Sequence, residues 1–322
     1  MEEPRVVGID IAKRKFDVVL LLEGKEKSGA FQNTPEGFAM LARWLERYGA
    51  GHVHACMEAT GVYGDDLAQY LHGAGHVVSV VNPAKVKGFA QSELSRTKTD
   101  KADARLIARF CRTMRPEPWQ PPALEEKQLQ ALVRRMDELS GMLTQERNRL
   151  ATAHDVVKPS IENVISLLEE RIKEVRRLIR EHIDQHPDLR GKRELLESIP
   201  GIGPATSAMV LAEFGDVARF QDARSMAAFC GLTPRQHQSG SSVRGRTRLS
   251  KTGSSRIRKA LYMPALVAMK HNPLVAAFCE RLRGYGKCPM VIVGAAMRKL
   301  IHIVFGVLKS GRPFDPSIAM AA

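Results

Sequence analysis

The chain has 322 residues, 44% of them hydrophobic and 26% charged, an ordinary globular composition with room for about two domains. No apolar run approaches the roughly 18–20 residues of a membrane span, and the start MEEPRVVGID lacks a signal peptide's charged-then-apolar layout, so a cytoplasmic protein is the expectation. Cys56, Cys111, Cys230, Cys279 and Cys288 form no C-x-x-C pair, which argues against a zinc or disulfide framework, and the net charge of +14 points to a polyanionic partner, usually nucleic acid.

Residues 5–11 and 16–22 read as two strands joined by a basic turn at Ala12–Lys15, and 26–32 as a weaker third strand. NTPEGFAMLARWLERYG follows as a helix, with Thr34 to cap it, Pro35 in its first turn, and an apolar face of Phe38, Leu41, Trp44 and Leu45. HVHACME is a short strand, GVYGDDLAQYLHGAG a helix ended by Gly73 or Gly75, and HVVSVVNP a strand stopped by Asn82 and Pro83. After a loop, TDKADARLIARFCR returns to helical spacing. The order βββ-α-β-α-β-α predicts a mixed sheet flanked by helices, closing near the proline-rich RPEPWQPP at 115–122.

Residues 124–184 differ. Leu129, Leu132, Val133, Met136, Leu139 and Leu143 keep 3–4 spacing, as do Ile161, Val164, Ile165, Leu168, Ile172, Val175 and Ile179, with Pro159 between the runs. A helical hairpin or coiled-coil arm is expected, either a dimerisation arm or a helical linker packed on its own domain. From about 187 the pattern becomes a compact helical domain, with a polar, basic, glycine-rich stretch at 235–258 and apolar helices at 259–270, 273–283 and 289–309.

Asp10 is anomalous, because a buried unpaired carboxylate inside the strand VVGIDI is costly. Glu58 follows the strand HVHACM directly, and Asp100 and Asp103 share one face at a helix start. Strand ends and helix starts converge on the site edge of an open α/β sheet. Four carboxylates there repel unless cations join them. Two Mg²⁺ ions would resolve the conflict and serve phosphoryl transfer. Taken singly, Asp100 reads equally as a helix cap, Asp103 as a favourable first-turn acid, and Glu58 as a paired strand-end residue.

LLESIPGIGPATSAMVLAEFG has the layout of a helix-hairpin-helix, in which Gly201 and Gly203 allow a tight turn whose amides can hold a nucleic-acid phosphate. A plain αα-hairpin satisfies the same pattern. From Arg235 to Lys259 the chain carries Arg235, Arg244, Arg246, Arg248, Lys251, Arg256, Arg258 and Lys259 and no acid. Such a loop binds backbone. Ser239, Ser241 and Ser242 beside those arginines also suit nucleophilic attack on a phosphate, without a choice among the serines.

GIDIAKRKFDVVL, HACMEATGVYGDDLA, VVNPAKVKGFAQSE and RTKTDKADARLIARF resemble the RuvC-like DEDD domain, of RNase H-like fold, of the bridge-RNA-guided insertion-sequence transposases. LLESIPGIGPATSAMVLAEFG, MAAFCGLTPRQHQSGSSVRGRTRLSKTGSSRIRKALYMPA and MRKLIHIVFGVLKSG resemble the transposase domain of the same family. The resemblance implies three parts: a RuvC-like catalytic domain at 1–120, a helical or coiled-coil arm at 121–186, and a mainly helical transposase domain with the helix-hairpin-helix and the catalytic serine at 187–322. It implies Asp10, Glu58, Asp100 and Asp103 as ligands of two Mg²⁺ (or Mn²⁺), and Ser239, first of the S-G-S-S run, as nucleophile. It further implies target and donor DNA, a structured bridge RNA, and a homodimer assembling to a tetramer in which different subunits complete each site. A prokaryotic, nucleoid-associated location would follow. Three rival readings are a RuvC-like junction resolvase or nuclease, a transposase using metals alone, and a non-catalytic nucleic-acid-binding protein.

Overall fold

The computed structural model describes residues 5–59, 61–93, 99–236, 238–239, 243–245 and 247–317. They fall into two compact units, 1–121 and 122–322.

The first unit is built on strands β1 (Arg5–Ile11), β2 (Lys15–Leu22), β3 (Lys25–Gln32), β4 (Val53–Glu58) and β5 (Val77–Val81), in the order β3-β2-β1-β4-β5. The β1–β2 and β2–β3 pairs are antiparallel, and β4 runs parallel to both β1 and β5. This mixed sheet with flanking helices follows the predicted element order with one added helix after β5, and it fits an RNase H-like fold. Helix α1 (Pro35–Arg47) starts at Thr34, whose Oγ1 accepts from the Gly37 amide at 3.3 Å. Its Phe38, Leu41 and Leu45 join Leu67 and Leu71 of α2 (Asp65–Gly73) over one face of the sheet, against Val7, Ile9, Phe16 and Met57.

The opposite face carries α3 (Pro83–Ser92) and α4 (Asp100–Met114). The sequence pattern predicts a loop where α3 lies. Asn82 and Pro83 do end β5, but they also start a helix: Asn82 Oδ1 accepts from the Ala84 amide at 2.8 Å, and proline suits the first helical position. Helix α4 lies directly on β1 at Gly8. A Cβ there would stand 2.1 Å from the Ala104 carbonyl oxygen and 2.2 Å from the Ala108 nitrogen. The Pro-rich segment closes against β5, with the Trp119 amide donating to Val78 O (2.6 Å) and Ser79 Oγ donating to the carbonyls of Pro116 and Glu117.

In the second unit, α5 (Leu124–Thr152) and α6 (Lys158–Gln185) pack on one another. At one end Leu129 and Val133 with Ile179 and Ile183 enter the unit's main core. Further out Leu139, Leu168 and Ile172 form a cluster of their own. The base of the pair therefore packs on its own unit, as a linker would, while Met142, Val164 and Leu167 beyond it remain exposed. The pair is thus a helical hairpin whose outer part buries apolar surface only between its two helices.

The rest is helical: α7 (Pro187–Glu197), α8 (Pro204–Phe214), α9 (Ala223–Phe229), α10 (Ser255–Ala260), α11 (Tyr262–His271), α12 (Pro273–Gly284) and α13 (Pro289–Ser310). The predicted helix at 259–270 is two, α10 and α11. The stretch at 235–258 is not all loop: β6 (Pro234–Arg235) pairs with β9 (Arg248–Leu249), and β7 (Gln238–Ser239) with β8 (Val243–Arg244), both antiparallel. By length and composition α13 could cross a membrane, contrary to the expectation that no run approaches that size. It is, however, a core helix, with Ile292, Ala296, Leu300, Ile301 and Val304 buried among its neighbours.

Candidate active site

Alternation along β1 sends Val7 and Ile9 to the α1–α2 face and Val6 and Gly8 to the α4 face, so Asp10 points toward α4. On β4, Ala55 and Met57 belong to the α1–α2 face and Cys56 to the other, which puts Glu58 beside Asp10. The parallel register ends at Ile9 opposite Met57, and the two acids follow one step further on. Helix α4 begins at this same edge. Thr99 caps it, its Oγ1 accepting from the Ala102 amide at 3.2 Å, so Asp100 is the first helical residue and not the cap. Asp103 lies one turn on, where the helix dipole favours an acid.

These acids feel one another. Burial, then Asp103, Asp100 and Asp17, push the Asp10 carboxyl up to about 6, against the opposing pull of Lys15. Burial, then Asp10 and Asp103, raise Glu58. Asp100 behaves differently. It is exposed, and its hydrogen bond from Lys15 Nζ (2.8 Å) holds its carboxyl below the usual range.

Two members of the edge escaped the sequence reading. Asp17 is the cross-strand partner of Asp10, and Lys15 bridges Asp17 (3.1 Å) and Asp100. The signal was available, because a hairpin turning at 12–14 sets position 17 opposite position 10.

Among the described residues, no three His, Cys, Asp or Glu side chains are gathered tightly enough to hold one metal ion as they stand. The donor set nonetheless fits a hard divalent cation. It is all carboxylate oxygen, with two members raised by burial and then by their neighbours' charge.

In the second unit, Arg235 and Arg248 are register partners on β6 and β9, both exposed. Like charges directly opposite destabilise a strand pair unless an anion lies between them. Lys251 is exposed, in a left-handed backbone conformation (φ 56°). Arg256 is engaged internally, with Nη2 2.9 Å from Asp137 and Nε 3.6 Å from Glu213. Ser239 lies on β7 and Arg244 on β8, and only the backbone of each is described. Ser241, Ser242 and Arg246 lie outside the described residues. At the α7–α8 turn Gly201 has φ 107° and faces α11, where a Cβ would meet Ala268 at 2.8 Å. Gly203 has open space around it.

Two family descriptions match: "Transposase IS116/IS110/IS902 family" over residues 193–280 and "Transposase" over residues 7–159. The "Pilin gene-inverting protein" of Moraxella bovis is 36% identical over 315 residues, covering 97% of this chain and 98% of that protein. The chain belongs to the IS110/IS116/IS902 transposase family. The transposase is also 24% identical to the "Transposase for insertion sequence element IS1111A" of Coxiella burnetii, over 84% of this chain and 79% of that one. The solved structure of T. thermophilus RuvC in complex with Holliday junction substrate aligns with 36% of the chain and all of its own length, at 16% identity and a TM-score of 0.27, a remote likeness. As a member of this family the protein is a DNA recombinase. The stretch matched at 193–280 runs from the second half of α7 through most of α12, including the basic segment.

Proposed function

We propose that this transposase cuts and rejoins DNA of an insertion element with two sets of residues, Asp10, Glu58, Asp100 and Asp103 in the first unit and Ser239 in the second. The observation that carries the reading is the gathering of acids at one sheet edge, where burial and mutual charge raise Asp10 and Glu58. When bound there, divalent metal (Mg²⁺ or Mn²⁺) would supply charge to the scissile phosphate.

The Ser239 hydroxyl attacks the phosphorus and loses its proton to solvent. The bond to one sugar oxygen breaks, leaving a phosphoserine ester on the protein and a free hydroxyl on the DNA. The hydroxyl of the exchanged strand then attacks that ester, restoring a phosphodiester and the serine, so no external energy source is needed. Arg235 and Arg248, facing one another on paired strands, neutralise phosphate charge. Arg244, Arg246 and Lys251 extend the same basic segment, and the Gly201–Gly203 turn contacts backbone without reading bases.

Sequence choice is delegated to a structured bridge RNA that pairs with target and donor DNA, in line with the family resemblance. The acids and the serine acting on one phosphate come from different copies of the chain, in dimers that pair into a tetramer. The exposed outer part of the α5–α6 hairpin supports a role in that assembly. The similarity to pilin gene-inverting proteins fits the same chemistry, since cutting and rejoining at two sites of one molecule inverts the DNA between them. A junction resolvase would need the acids but not the stretch matched at 193–280.

The test is to incubate protein, element RNA and target DNA, denature, and look for protein covalently attached to DNA. Wild type forms the adduct and Ser239→Ala does not. An adduct that persists in Ser239→Ala assigns the nucleophile elsewhere. Asp10→Ala abolishes cleavage while RNA binding survives, and undiminished cleavage would remove the acids from the chemistry.

A further inference from the structure

The second unit contains a groove of about 760 Å³ at the corner of α10 and α11 against α13. We infer that this groove takes an unstacked base of a single DNA strand together with its phosphate. The inference rests on the DNA-cutting reading above and adds to it a subsite for a nucleotide.

The groove has the chemistry of a nucleotide at both ends. Leu249, the last residue of β9, lies against Gly294 of α13, where even a Cβ would approach Leu249 Cδ1 to 3.1 Å. With Met297 it makes an apolar floor. The walls are Tyr262, 39% exposed, and Met263, 63% exposed. An aromatic ring and a thioether left in water beside a floor of this kind form a stacking platform, and such a surface is sequence-tolerant because every base has a π face. The size lies within the range of small-molecule sites.

The rim is cationic. Arg256, Arg258 and Lys259 line it, and no carboxylate among the described residues does. Their charges are not equivalent. The charge of Arg256 is answered by Asp137 and Glu213. Among the described residues, Arg258 donates to neutral carbonyls, those of Cys230 (3.1 Å) and Lys251 (3.3 Å). The guanidinium is therefore held in place with no carboxylate paired to it among the described residues. Lys259 is exposed and has no ionic partner among the described residues. These two positive charges beside an exposed ring and an apolar floor complement the phosphate and the base of one nucleotide. A duplex, whose bases are already stacked, cannot offer the flat face. The groove also sits on the chain that continues from the basic segment: Leu249 ends β9, and α10 begins at Ser255.

The experiment uses the full-length protein and a single-stranded oligonucleotide carrying iodouracil, which on irradiation cross-links to a ring or thioether in contact. Cross-links at Tyr262 or Met263, read by peptide mass spectrometry, are the expected result. Tyr262→Ala should weaken binding of the single strand about tenfold, the size of one lost stacking contact, and leave duplex binding within about twofold. Tyr262→Phe keeps the ring and should bind like wild type, which separates stacking from any loss of folding. Lys259→Gln should weaken single-strand binding and flatten its salt dependence by about one phosphate contact. The groove proposal fails, with the transposase reading intact, if the protein binds DNA while cross-links map elsewhere and Tyr262→Ala binds as wild type. Displacement of the oligonucleotide by polyglutamate at equal charge concentration would also overturn it, since charge alone would then suffice. A wild-type protein that binds no DNA at all would remove the underlying reading as well.

Discussion

Each unit of this transposase sets like charges opposite one another on paired strands. In the first, Asp10 faces Asp17 across β1 and β2. In the second, Arg235 faces Arg248 across β6 and β9. Such pairs lower the stability of a sheet, but the two are carried differently. The acids stand on long strands of a five-stranded sheet with packed helices on both faces, and Asp10 is half-buried. The arginines stand on strands of two residues, in solvent. Repulsion between the acids is thus held in by the fold, and Asp17 adds to burial, Asp103 and Asp100 in raising Asp10. Repulsion between the arginines is screened by water and salt. On the proposed function, the acid edge would receive a cation held by the sheet, and the exposed basic pair a phosphate.

The strongest way to break this contrast is to disturb the support of the acids and not the acids themselves. Gly8→Val forces a side chain into the backbone of α4, at Ala104 and Ala108. Helix α4, which carries Asp100 and Asp103, must move or the first unit must unfold. We expect a loss of about 3–5 kcal/mol in chemical denaturation, at the upper end for overpacking, with loss of DNA cleavage. A variant that melts like wild type would show that α4 is free to shift.

The basic stretch can be dissected next. Arg256 is an arginine like its neighbours in the sequence, but it ties α10 to Asp137 of α5 and Glu213 of α8. Arg256→Ala should cost roughly 1–2 kcal/mol, because the pair with the largely buried Glu213 is lost. Arg248→Ala should leave the melting temperature unchanged and weaken DNA binding in a salt-dependent way. Equal effects of the two substitutions on stability would erase the distinction between structural and available cations.

That distinction shows what a sequence withholds. The order of strands and helices in the first unit was legible because alternation and helical spacing report burial directly. The placing of Asp10 beside Glu58 follows from strand parity once the sheet is assumed, and Asp103 joins them because α4 packs on β1 at Gly8. Asp17 needed one further step, the hairpin register. The α3 helix was hidden because Asn82–Pro83 ends a strand and starts a helix with the same two residues. Arg256 could not be told from Arg248, because its partners lie more than 40 and 100 positions away, at Glu213 and Asp137. Helix α13 was legible as an apolar helix of the compact second domain, but not that its length and composition also meet those of a membrane span.

Within the acid edge, charge itself can be removed. The Asp10 carboxyl is raised to about 6, so the folded protein holds a proton that the unfolded chain, with an ordinary Asp near 4, has released. Stability in chelator therefore falls as pH rises from about 4 to about 6. Asp10→Asn escapes that loss. It should be more stable than wild type by about 1 kcal/mol above pH 6, a figure discounted because Asp10 is only half-buried, and the gain should vanish below pH 4. Thermal melts in EDTA across that range measure it. A gain that is independent of pH would mean the charge is not the cause.

The smallest expected effect concerns Lys15, the cation already at the edge. Its ammonium bridges Asp17 and Asp100, and it holds the Asp100 carboxyl below the usual range. A divalent ion that recruits Asp100 must compete with it. Lys15→Met should therefore tighten Mn²⁺ binding, followed by calorimetry, by about two- to fivefold at low salt, the size of one screened charge contact. The gain should shrink as salt is added. If Lys15→Met instead weakens Mn²⁺ binding, the lysine orients Asp100 for the ion and does not compete with it. The acid edge would then resemble the arginine pair less than its charges suggest, with its counter-ion acting as a template.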